Sequence, residues 1–347
     1  MANPSATPFA ERVCDATEPA ISVVICTRDR PDTIGQAIES VVRCTYRGFD
    51  LYVMDQSTTD STQRIVQSLR RRFSERCAIH YHHLERAGLS HAYNAAIALS
   101  DGPVIACTDD DVVVPEEWLA RIAQAFQNDE QLGLLYGQVL APASLAEAAE
   151  TTGMMLPSLV WEQPKRLIRE NRNFKVWGMG ANMALRRNAI VGIGGFDEAM
   201  GGGAPLRSSQ DFDVSLRMYR AGYAVSLEPG ITVDHYGTRT REQWPATMFN
   251  YGVGDGAFYS KHARCADLLA VRMLVGCATR EALKAVDRSV RARRLVGFTP
   301  YGRGFFVGIR EGMRFRVDRR HRRYVETKQA LFAATDPNAV TAAVRVS

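Results

Sequence analysis

The sequence predicts an α/β fold, with a mostly parallel sheet flanked by helices, followed by a mainly helical and basic C-terminal extension. Two patterns support this fold class. Short apolar runs alternate with segments of helical periodicity over the first part of the chain, and the pattern becomes mostly helical from about residue 245. The chain has 347 residues, of which 46% are hydrophobic, so it can bury one large core.

The first predicted strand covers residues 21–26, an apolar and β-branched run that ends at the polar segment TRDRP. Pro31 suits the first turn of a helix, and apolar residues recur with helical spacing over 33–42. Further strands are expected over 51–54, 78–82, 103–108, 132–139 and 224–227, and further helices over 63–73, 90–99, 118–126, 141–152 and 211–221. Strands that are joined through helices favour parallel pairing with right-handed crossovers.

These elements predict three regions. Residues 1–19 form a flexible lead, residues 20–240 the α/β domain, and residues 241–347 a helical region for acceptor binding or membrane association. Within the second region, residues 157–175 are polar and irregular, which is typical of a loop.

The composition indicates a cytoplasmic protein. No apolar run approaches the roughly 18 residues that span a bilayer, and the N-terminus lacks the basic-then-apolar pattern of a signal peptide. The seven cysteines are scattered, odd in number and without a CxxC pair, so we expect reduced thiols rather than a disulfide framework or a zinc site.

Positive charge is concentrated near the C-terminus. Residues 261–347 hold 19 Lys and Arg against 7 Asp and Glu, whereas residues 1–260 hold 24 against 31. A basic segment on an acidic body suits an anionic partner, such as lipid headgroups on the inner face of the membrane or a phosphorylated acceptor, and equally a solvated helical face. Nucleic acid is not expected, because no recognition motif is present.

Three successive aspartates, Asp109, Asp110 and Asp111, follow the predicted buried strand at 103–108. Neighbouring carboxylates repel one another unless a cation lies among them, and oxygen ligands in this number suit Mg²⁺ or Mn²⁺ better than zinc. A solvated turn is the alternative interpretation of such a triplet. Open α/β sheets bind ligands at the carboxyl ends of their strands, which favours the metal.

Two further aspartates occupy positions suited to chemistry. Asp55 follows the second predicted strand, where it can accept hydrogen bonds from a nucleobase or a ribose. Asp211 begins a predicted amphipathic helix, whose dipole favours the ionised form and makes it a candidate general base. A helix-capping acid is the structural alternative for Asp211.

Five segments follow one another along residues 20–240: ISVVICTRDRPDTIGQAIESV, LYVMDQSTTDST, ERAGLSHAYNAAIALSDGPVIACTDDDVVVPEEWL, GMGANMALRRNAIVGIGGFDE and SSQDFDVSLRMYRAGY. Together and in this order they resemble the inverting family 2 glycosyltransferases of the GT-A fold, a Rossmann-like arrangement. The resemblance implies a nucleotide-sugar donor, a saccharide or lipid-linked acceptor, and a divalent cation. It places contacts to the donor nucleotide at Thr27, Arg30, Asp55, Arg86 and Asp109.

The resemblance implies metal ligands among Asp109, Asp110, Asp111 and His235. The family pattern is Asp-any-Asp, and the triplet allows two registers. In one, Asp109 and Asp111 are the two acids. In the other, Thr108 replaces the first acid and Asp110 is the ligand.

Asp211 matches the catalytic base of the family, although Gln210 stands where a Glu is usual. The resemblance also implies that Trp177, Gly180, Asn182, Gln210 and Asp213 belong to the sugar and acceptor loops. The expected activity is transfer of a sugar, with inversion, to an acceptor hydroxyl in polysaccharide, glycolipid or other glycoconjugate synthesis. The alternatives are a non-catalytic sugar- or membrane-binding protein and, less favoured because no Gly-rich phosphate loop follows the first strand, a sugar nucleotidyltransferase.

Overall fold

The computed structural model describes residues 20–168 and 178–325. The predicted alternation of strands and helices is present in the first part of the chain. Its elements are β1 (Ile21–Thr27), α1 (Pro31–Val42), β2 (Phe49–Asp55), α2 (Ser61–Arg72), β3 (Ile79–His83), α3 (Leu89–Leu99), β4 (Val104–Asp109), β5 (Val112–Val113), α4 (Trp118–Asn128) and β6 (Leu132–Leu140).

The remaining strands and helices follow along the chain. They are α5 (Ala143–Thr152), β7 (Lys165–Leu167), β8 (Asn182–Arg186), α6 (Arg187–Gly192), α7 (Gln210–Ala221), β9 (Ala224–His235), α8 (Trp244–Arg264), α9 (Leu268–Ala292), α10 (Pro300–Gly312), β10 (Arg316–Asp318) and β11 (Arg323–Val325).

The strands form one sheet in the order β3-β2-β1-β4-β8-β6-β9-β5, with β7 paired to β9. The pairs β3–β2, β2–β1, β1–β4 and β6–β9 are parallel, which confirms the predicted α/β class. β8 is antiparallel to both β4 and β6, and this reversal was not indicated by the sequence pattern.

The sheet is buried on both faces. In β1, Val24 packs into one hydrophobic layer, while Val23 and Ile25 pack into the other with Trp118. A strand that is covered on both sides has no polar face, which is why the predicted run at 21–26 is continuously apolar.

The C-terminal helices share the core of the α/β domain. Phe258 of α8, Phe305 of α10 and Tyr324 of β11 belong to the same buried cluster as Val24 and Met183 of the sheet. The predicted boundary at 240/241 therefore lies within one continuous hydrophobic core. The hairpin of β10 and β11 was not predicted.

Two sequence expectations need correction. The strand predicted over 224–227 continues to His235, because β9 pairs with β6 again after an irregularity between Gly137 and Gln138. Pro229 and Gly230 lie inside that irregularity. Because proline and glycine usually end a strand, the sequence pattern predicted the end of this strand too early. The segment 157–175, expected to be irregular, contains β7 in its described part, where Leu167 is buried.

Glycines bring α8 and α10 into direct backbone contact. A Cβ at Gly252 or Gly256 of α8 would overlap the carbonyl oxygen of Tyr301 or Phe305, and a Cβ at Gly308 of α10 would overlap that of Val253. The two helices run parallel, and the absence of side chains at these positions sets their separation.

We predict that Gly256→Ala destabilises the protein by roughly 1–3 kcal/mol, because the added methyl group forces two packed helices apart. Gly276→Ala in α9 is the matched control, since a Cβ there meets nothing within 4 Å among the described residues. That variant should be neutral or more stable by up to about 1 kcal/mol through helix propensity. Urea unfolding of both variants measures the difference, and equal stabilities would contradict the packing account.

Candidate functional site

The carboxyl ends of the central parallel strands bring the polar residues together. In the register of the sheet, Thr27 at the end of β1 pairs with Asp55 at the end of β2, and Cys26 pairs with Asp109 at the end of β4. The loops that follow these strands therefore meet at one edge, as the sequence predicted.

Asp110 is held by the loop that follows β1. One carboxylate oxygen accepts a hydrogen bond of 2.6 Å from the Thr27 hydroxyl, and the other lies 2.9 Å from Nη1 of Arg30. The same Arg30 nitrogen lies 2.5 Å from Oδ2 of Asp111. Arg30 thus links two of the three acids to the start of α1.

Asp109, Asp111 and His235 form a group that can hold a metal ion. Each offers one ligand atom, and these atoms all lie within 4.8 Å of one another. Pairing of β5 with β9 places Val112 opposite His235 and so brings the imidazole beside Asp111. A Cβ at Gly237 would lie 2.5 Å from the His235 ring and 2.6 Å from Oδ2 of Asp111, so only glycine leaves room for this arrangement.

The electrostatics of this group favour a cation. Burial, together with the charges of Asp111 and Asp110, raises the pKa of Asp109 to about 8, although Arg30 opposes the shift. Burial lowers the pKa of His235, which keeps its imidazole in the neutral form that binds metals. The two carboxylates supply the oxygen ligands that Mn²⁺ and Mg²⁺ prefer, and the neutral imidazole of His235 adds a third metal ligand. The residues present therefore fit a divalent cation.

The geometry distinguishes the two registers of the triplet. Thr108 is fully buried and its hydroxyl donates to the carbonyl oxygen of Ala181 at 2.9 Å, so it does not face the acidic group. Asp109 and Asp111 converge with His235, whereas Asp110 is engaged by the β1 loop. The first register fits the structure, and Asp110, proposed as a ligand from the sequence, lies outside the group.

Asp211 lies in the first turn of α7 and is half-buried. Its carboxylate accepts a hydrogen bond of 2.9 Å from its neighbour Phe212 N–H and one of 3.3 Å from Gly180 N–H. Burial raises the pKa of Asp211 to about 6, while these backbone donors limit the rise. Thr108, next to Asp109, pairs with Asn182, and Gly180 donates to Asp211, so the two carboxylates lie near the same end of the β4–β8 pair. The charge of Asp211 in turn raises the pKa of Asp109.

The structure places Asp213, assigned from the sequence to the acceptor loops, in a buried cluster of charged side chains that includes an arginine. It is fully buried, with Nε of Arg217 at 2.8 Å, Nζ of Lys261 at 2.6 Å and Nε2 of His262 at 2.8 Å. Lys261 also lies 2.5 Å from Asp197. Burial alone would raise the pKa of Asp213, but Lys261 and Arg217 hold it far below its usual range.

Asn182 is also structural. Its side chain is fully buried, accepts a hydrogen bond of 2.9 Å from the Trp118 indole, and donates to the carbonyl oxygens of Gln138 and Ile231. This corrects its assignment to the sugar loop.

Gly180 and Gln210 lie beside Asp211. A Cβ at Gly180 would lie 3.7 Å from Nε2 of Gln210, so these two residues are neighbours at the start of α7. Trp177 falls outside the described residues.

A cleft of about 580 Å³ opens beside the ends of β2 and β3. Its lining includes Arg28, Ser57, Thr58, Tyr81 and His83. Asp55 lies behind it, fully buried, and its carboxylate accepts hydrogen bonds of 2.8 Å from both Ser57 N–H and the Tyr81 hydroxyl. Tyr81 is the group that reaches the cleft, so a nucleobase contact with Asp55 requires Tyr81 to move.

Arg86 lies on the loop after β3. Its Nη1 is 2.6 Å from a carboxylate oxygen of Glu198, and its carbonyl oxygen accepts from the Gln56 amide at 2.6 Å. It is therefore near the cleft, but one of its guanidinium nitrogens is already paired.

Residues 22–192 match the family model described as glycosyl transferase family 2. The chain belongs to glycosyltransferase family 2. The family, the GT-A fold and the transferase class expected from the sequence are thereby confirmed.

Two curated relatives illustrate the match. The glycosyltransferase is 23% identical over 234 residues to a glucosyl-dolichyl phosphate glucuronosyltransferase of Haloferax volcanii, an alignment that covers 65% of this chain and 72% of the relative. It is 20% identical over 224 residues to a beta-monoglucosyldiacylglycerol synthase of Synechocystis sp., which covers 64% of this chain and 45% of the relative. The chain thus spans less than half the length of the second relative.

Among solved structures, a mannosyltransferase of Pyrobaculum calidifontis, in a complex with GDP-Man and Mn²⁺, is similar with a TM-score of 0.53 and 17% identity. The match covers 84% of each chain. At this identity the likeness establishes the fold.

Sequence reasoning missed Tyr81, Asp197, Lys261 and Asp255. The last is buried in α8 and accepts a hydrogen bond from Ser209, just before α7. A lysine between serine and histidine in a helical segment carries no local signal that it is buried.

We predict that Asp111→Asn and His235→Ala each weaken Mn²⁺ binding by at least about tenfold, because each removes a ligand from the group. Asp110→Asn should cost less, since Asp110 binds Thr27 and Arg30 instead. Mn²⁺ titration followed by electron paramagnetic resonance measures the affinities, with Asp287→Asn as a remote control whose carboxylate is exposed. A larger loss for Asp110→Asn than for Asp111→Asn would favour the other register.

Proposed function

We propose that this glycosyltransferase moves a sugar from a nucleoside diphosphate sugar to an acceptor hydroxyl with inversion, and that Asp211 is the general base. One observation carries the proposal. The half-buried carboxylate of Asp211, at the start of α7, is held by Gly180 N–H close to the strand end that carries the group of Asp109, Asp111 and His235.

The donor site is proposed at the carboxyl edge of the sheet. The cleft beside Tyr81 offers polar groups for the nucleoside, and the acidic group lies at the end of the neighbouring strand β4. The complex of the similar mannosyltransferase with GDP-Man and Mn²⁺ supports a nucleotide-sugar donor. A divalent cation, Mn²⁺ or Mg²⁺, held by Asp109, Asp111 and His235 would offset the negative charge that grows on the leaving diphosphate.

Asp211 is suited to remove the proton of the acceptor hydroxyl. The N–H groups of Phe212 and Gly180 orient its carboxylate, and the N-terminus of α7 stabilises its charge. With a pKa of about 6 it is ionised at neutral pH, yet it is more basic than an exposed aspartate. The acceptor oxygen forms a bond to the anomeric carbon as the bond to the diphosphate breaks, and the proton passes to Asp211.

We predict that the purified protein, incubated with UDP-, dTDP- and GDP-sugars, releases nucleoside diphosphate from one donor only when Mn²⁺ or Mg²⁺ is present. Asp211→Asn should slow that release by about 10²–10⁴-fold because the general base is lost. The variant should still bind the nucleoside diphosphate, since Asp211 contacts the acceptor side. Asp287→Asn is the control for an aspartate outside the site.

The pH dependence provides a second readout. Below about pH 6 the wild-type rate should fall about tenfold per unit, since Asp211 becomes protonated. Loss of nucleotide binding in Asp211→Asn would contradict the assignment of the base. Donor binding without turnover in any donor and acceptor mixture would favour a non-catalytic sugar-binding protein.

We propose a lipid-linked or saccharide acceptor and a site of action on the cytoplasmic face of an anionic membrane. The names of the Haloferax and Synechocystis relatives, which refer to a dolichyl phosphate and a diacylglycerol, support a lipid acceptor. Within the described ranges, no helix combines the length and hydropathy needed to cross a bilayer.

The outer face of α9 is the candidate surface. Its inner face buries Ala270, Cys277 and Glu281. Large apolar side chains recur at helical spacing on the opposite face and in the loop that follows. They are Leu268, Val271, Val275, Leu283, Val286, Val290 and Leu295, with exposed fractions from 38% to 99%. Arginines at 272, 288, 291, 293 and 294 accompany them, so apolar and cationic groups occur together, as at a membrane interface.

We predict that the protein sediments with vesicles that contain anionic phospholipid at low salt and is released as salt increases. Replacing Leu283, Val286 and Val290 together by Ser should weaken binding by at least about tenfold, since three aliphatic side chains no longer leave water. The paired variant Val160→Ser and Val191→Ser, with exposed fractions of 61% and 56%, is the control.

No sedimentation at low salt would contradict the membrane proposal, as would equal binding of the triple variant. Light scattering on the same samples tests the alternative that a second copy of the chain, and not a membrane, covers the outer face of α9. A wild-type dimer that becomes monomeric in the triple variant would assign the α9 face to a second copy of the chain.

A further inference from the structure

Asp255 lies in α8, beyond the segment that matches the family model, yet it contacts the residue that precedes the base helix. Its Oδ1 accepts a hydrogen bond of 2.7 Å from the Ser209 hydroxyl, and its Oδ2 accepts one of 2.6 Å from the Tyr301 hydroxyl of α10. The residue is only 9% exposed. A buried carboxylate is costly unless donors satisfy it, and here two donors from different elements converge on it.

Ser209 has an unusual backbone conformation. Its φ of 66° and ψ of 20° are left-handed, immediately before α7 begins at Gln210. A residue with a side chain pays of order 1 kcal/mol or more for this conformation, so contacts must hold it. Ser209 also accepts, through its carbonyl oxygen, the N–H of Asp213 at 3.0 Å, which begins the helical hydrogen bonding of α7.

The neighbouring residue is fastened to the same helix. The Ser208 hydroxyl donates to the carbonyl oxygen of Asn250 at 2.9 Å. A Cβ at Gly254 would overlap the Ser208 hydroxyl, so the segment before α7 lies directly on α8. The start of the base helix is therefore shaped by α8 rather than by the sheet alone.

We propose that Asp255 is a positioning residue for the base: through Ser209 it fixes the start of α7, and with it the direction of the Asp211 carboxylate. This inference rests on the proposed function. The negative charge of Asp255 also contributes to the raised pKa of Asp211, which supports the proximity of the two groups. The α8–α10 pair thus completes the reaction centre.

The test is a double-mutant cycle on nucleoside diphosphate release from the donor sugar with Mn²⁺. Asp255→Ala and Ser209→Ala should each lower kcat about ten- to a hundredfold, as expected for a misplaced catalytic group, with the donor KM unchanged. Because Asp255 acts through Ser209, the double variant should lose no more than the worse single variant. Asp255→Asn should restore most of the activity, since its amide oxygen can still accept from Ser209.

Multiplicative losses in the cycle would overturn the inference, and so would an unchanged kcat in Asp255→Ala. If Asp255→Ala does not fold, Tyr301→Phe replaces it, because this variant keeps the carboxylate but removes one of its anchors. It should lower kcat at constant KM, and an unchanged kcat would overturn the inference. Asp211→Asn is measured in parallel. Activity retained there would refute the proposed base, whereas activity lost there and retained in Asp255→Ala would refute only the role of Asp255.

Discussion

The buried ion pair between Asp213 and Lys261 is the interaction on which the arrangement of the site depends. Lys261 bridges Asp213 and Asp197, and Arg217 holds the other oxygen of Asp213, so two cations balance two carboxylates away from water. Burial lowers the pKa of His262 to about 4, so its imidazole is neutral and adds no third positive charge to the cluster. Removing one partner from such a set leaves a buried charge that costs roughly 3–5 kcal/mol. Helix α7, the loop before it and the C-terminal helices are therefore held in one relative position.

The two acidic clusters of the molecule differ in how their charge is compensated, and this difference separates structure from function. The Asp213 cluster is neutral within itself. In the triplet after β4, Arg30 is the cation that contacts two of three adjacent carboxylates, and the pKa of Asp109 rises to about 8 as a result of burial and its neighbours. Because one cation faces three carboxylates, the triplet would gain stability from a further bound cation. Arg30 holds Oδ2 of Asp111, whereas Oδ1 lies 3.4 Å from Nε2 of His235, on the side of the group that can hold a metal ion.

The sequence was sufficient where a local pattern determines the outcome. Strand ends carry Asp109 and Asp111, a helix start carries Asp211, and these positions follow from periodicity and from the edge at which parallel strands end. Contacts between residues that are far apart in the sequence leave no such local pattern. Asp213 has the same local pattern as an exposed helical acid, and only the fold brings Lys261 to it. The local sequence around Asn182 is typical of a polar loop. In the structure β8 lies antiparallel between β4 and β6, and the Asn182 amide is fully buried there.

The hydrogen bond from the Tyr324 N–H to Asp197, 2.7 Å long, ties the last described strand to the loop before α7. Asp197 and Lys261 both lie beyond residue 192, where the match to the family ends. The α/β domain and the C-terminal helices are thus not interchangeable modules. A descendant that acquired a foreign C-terminal part from beyond Asp213 through recombination would inherit Asp197 and Asp213 without their lysine. Lineages of this enzyme would be expected to pass on both halves together and to diversify through the rim of the cleft instead.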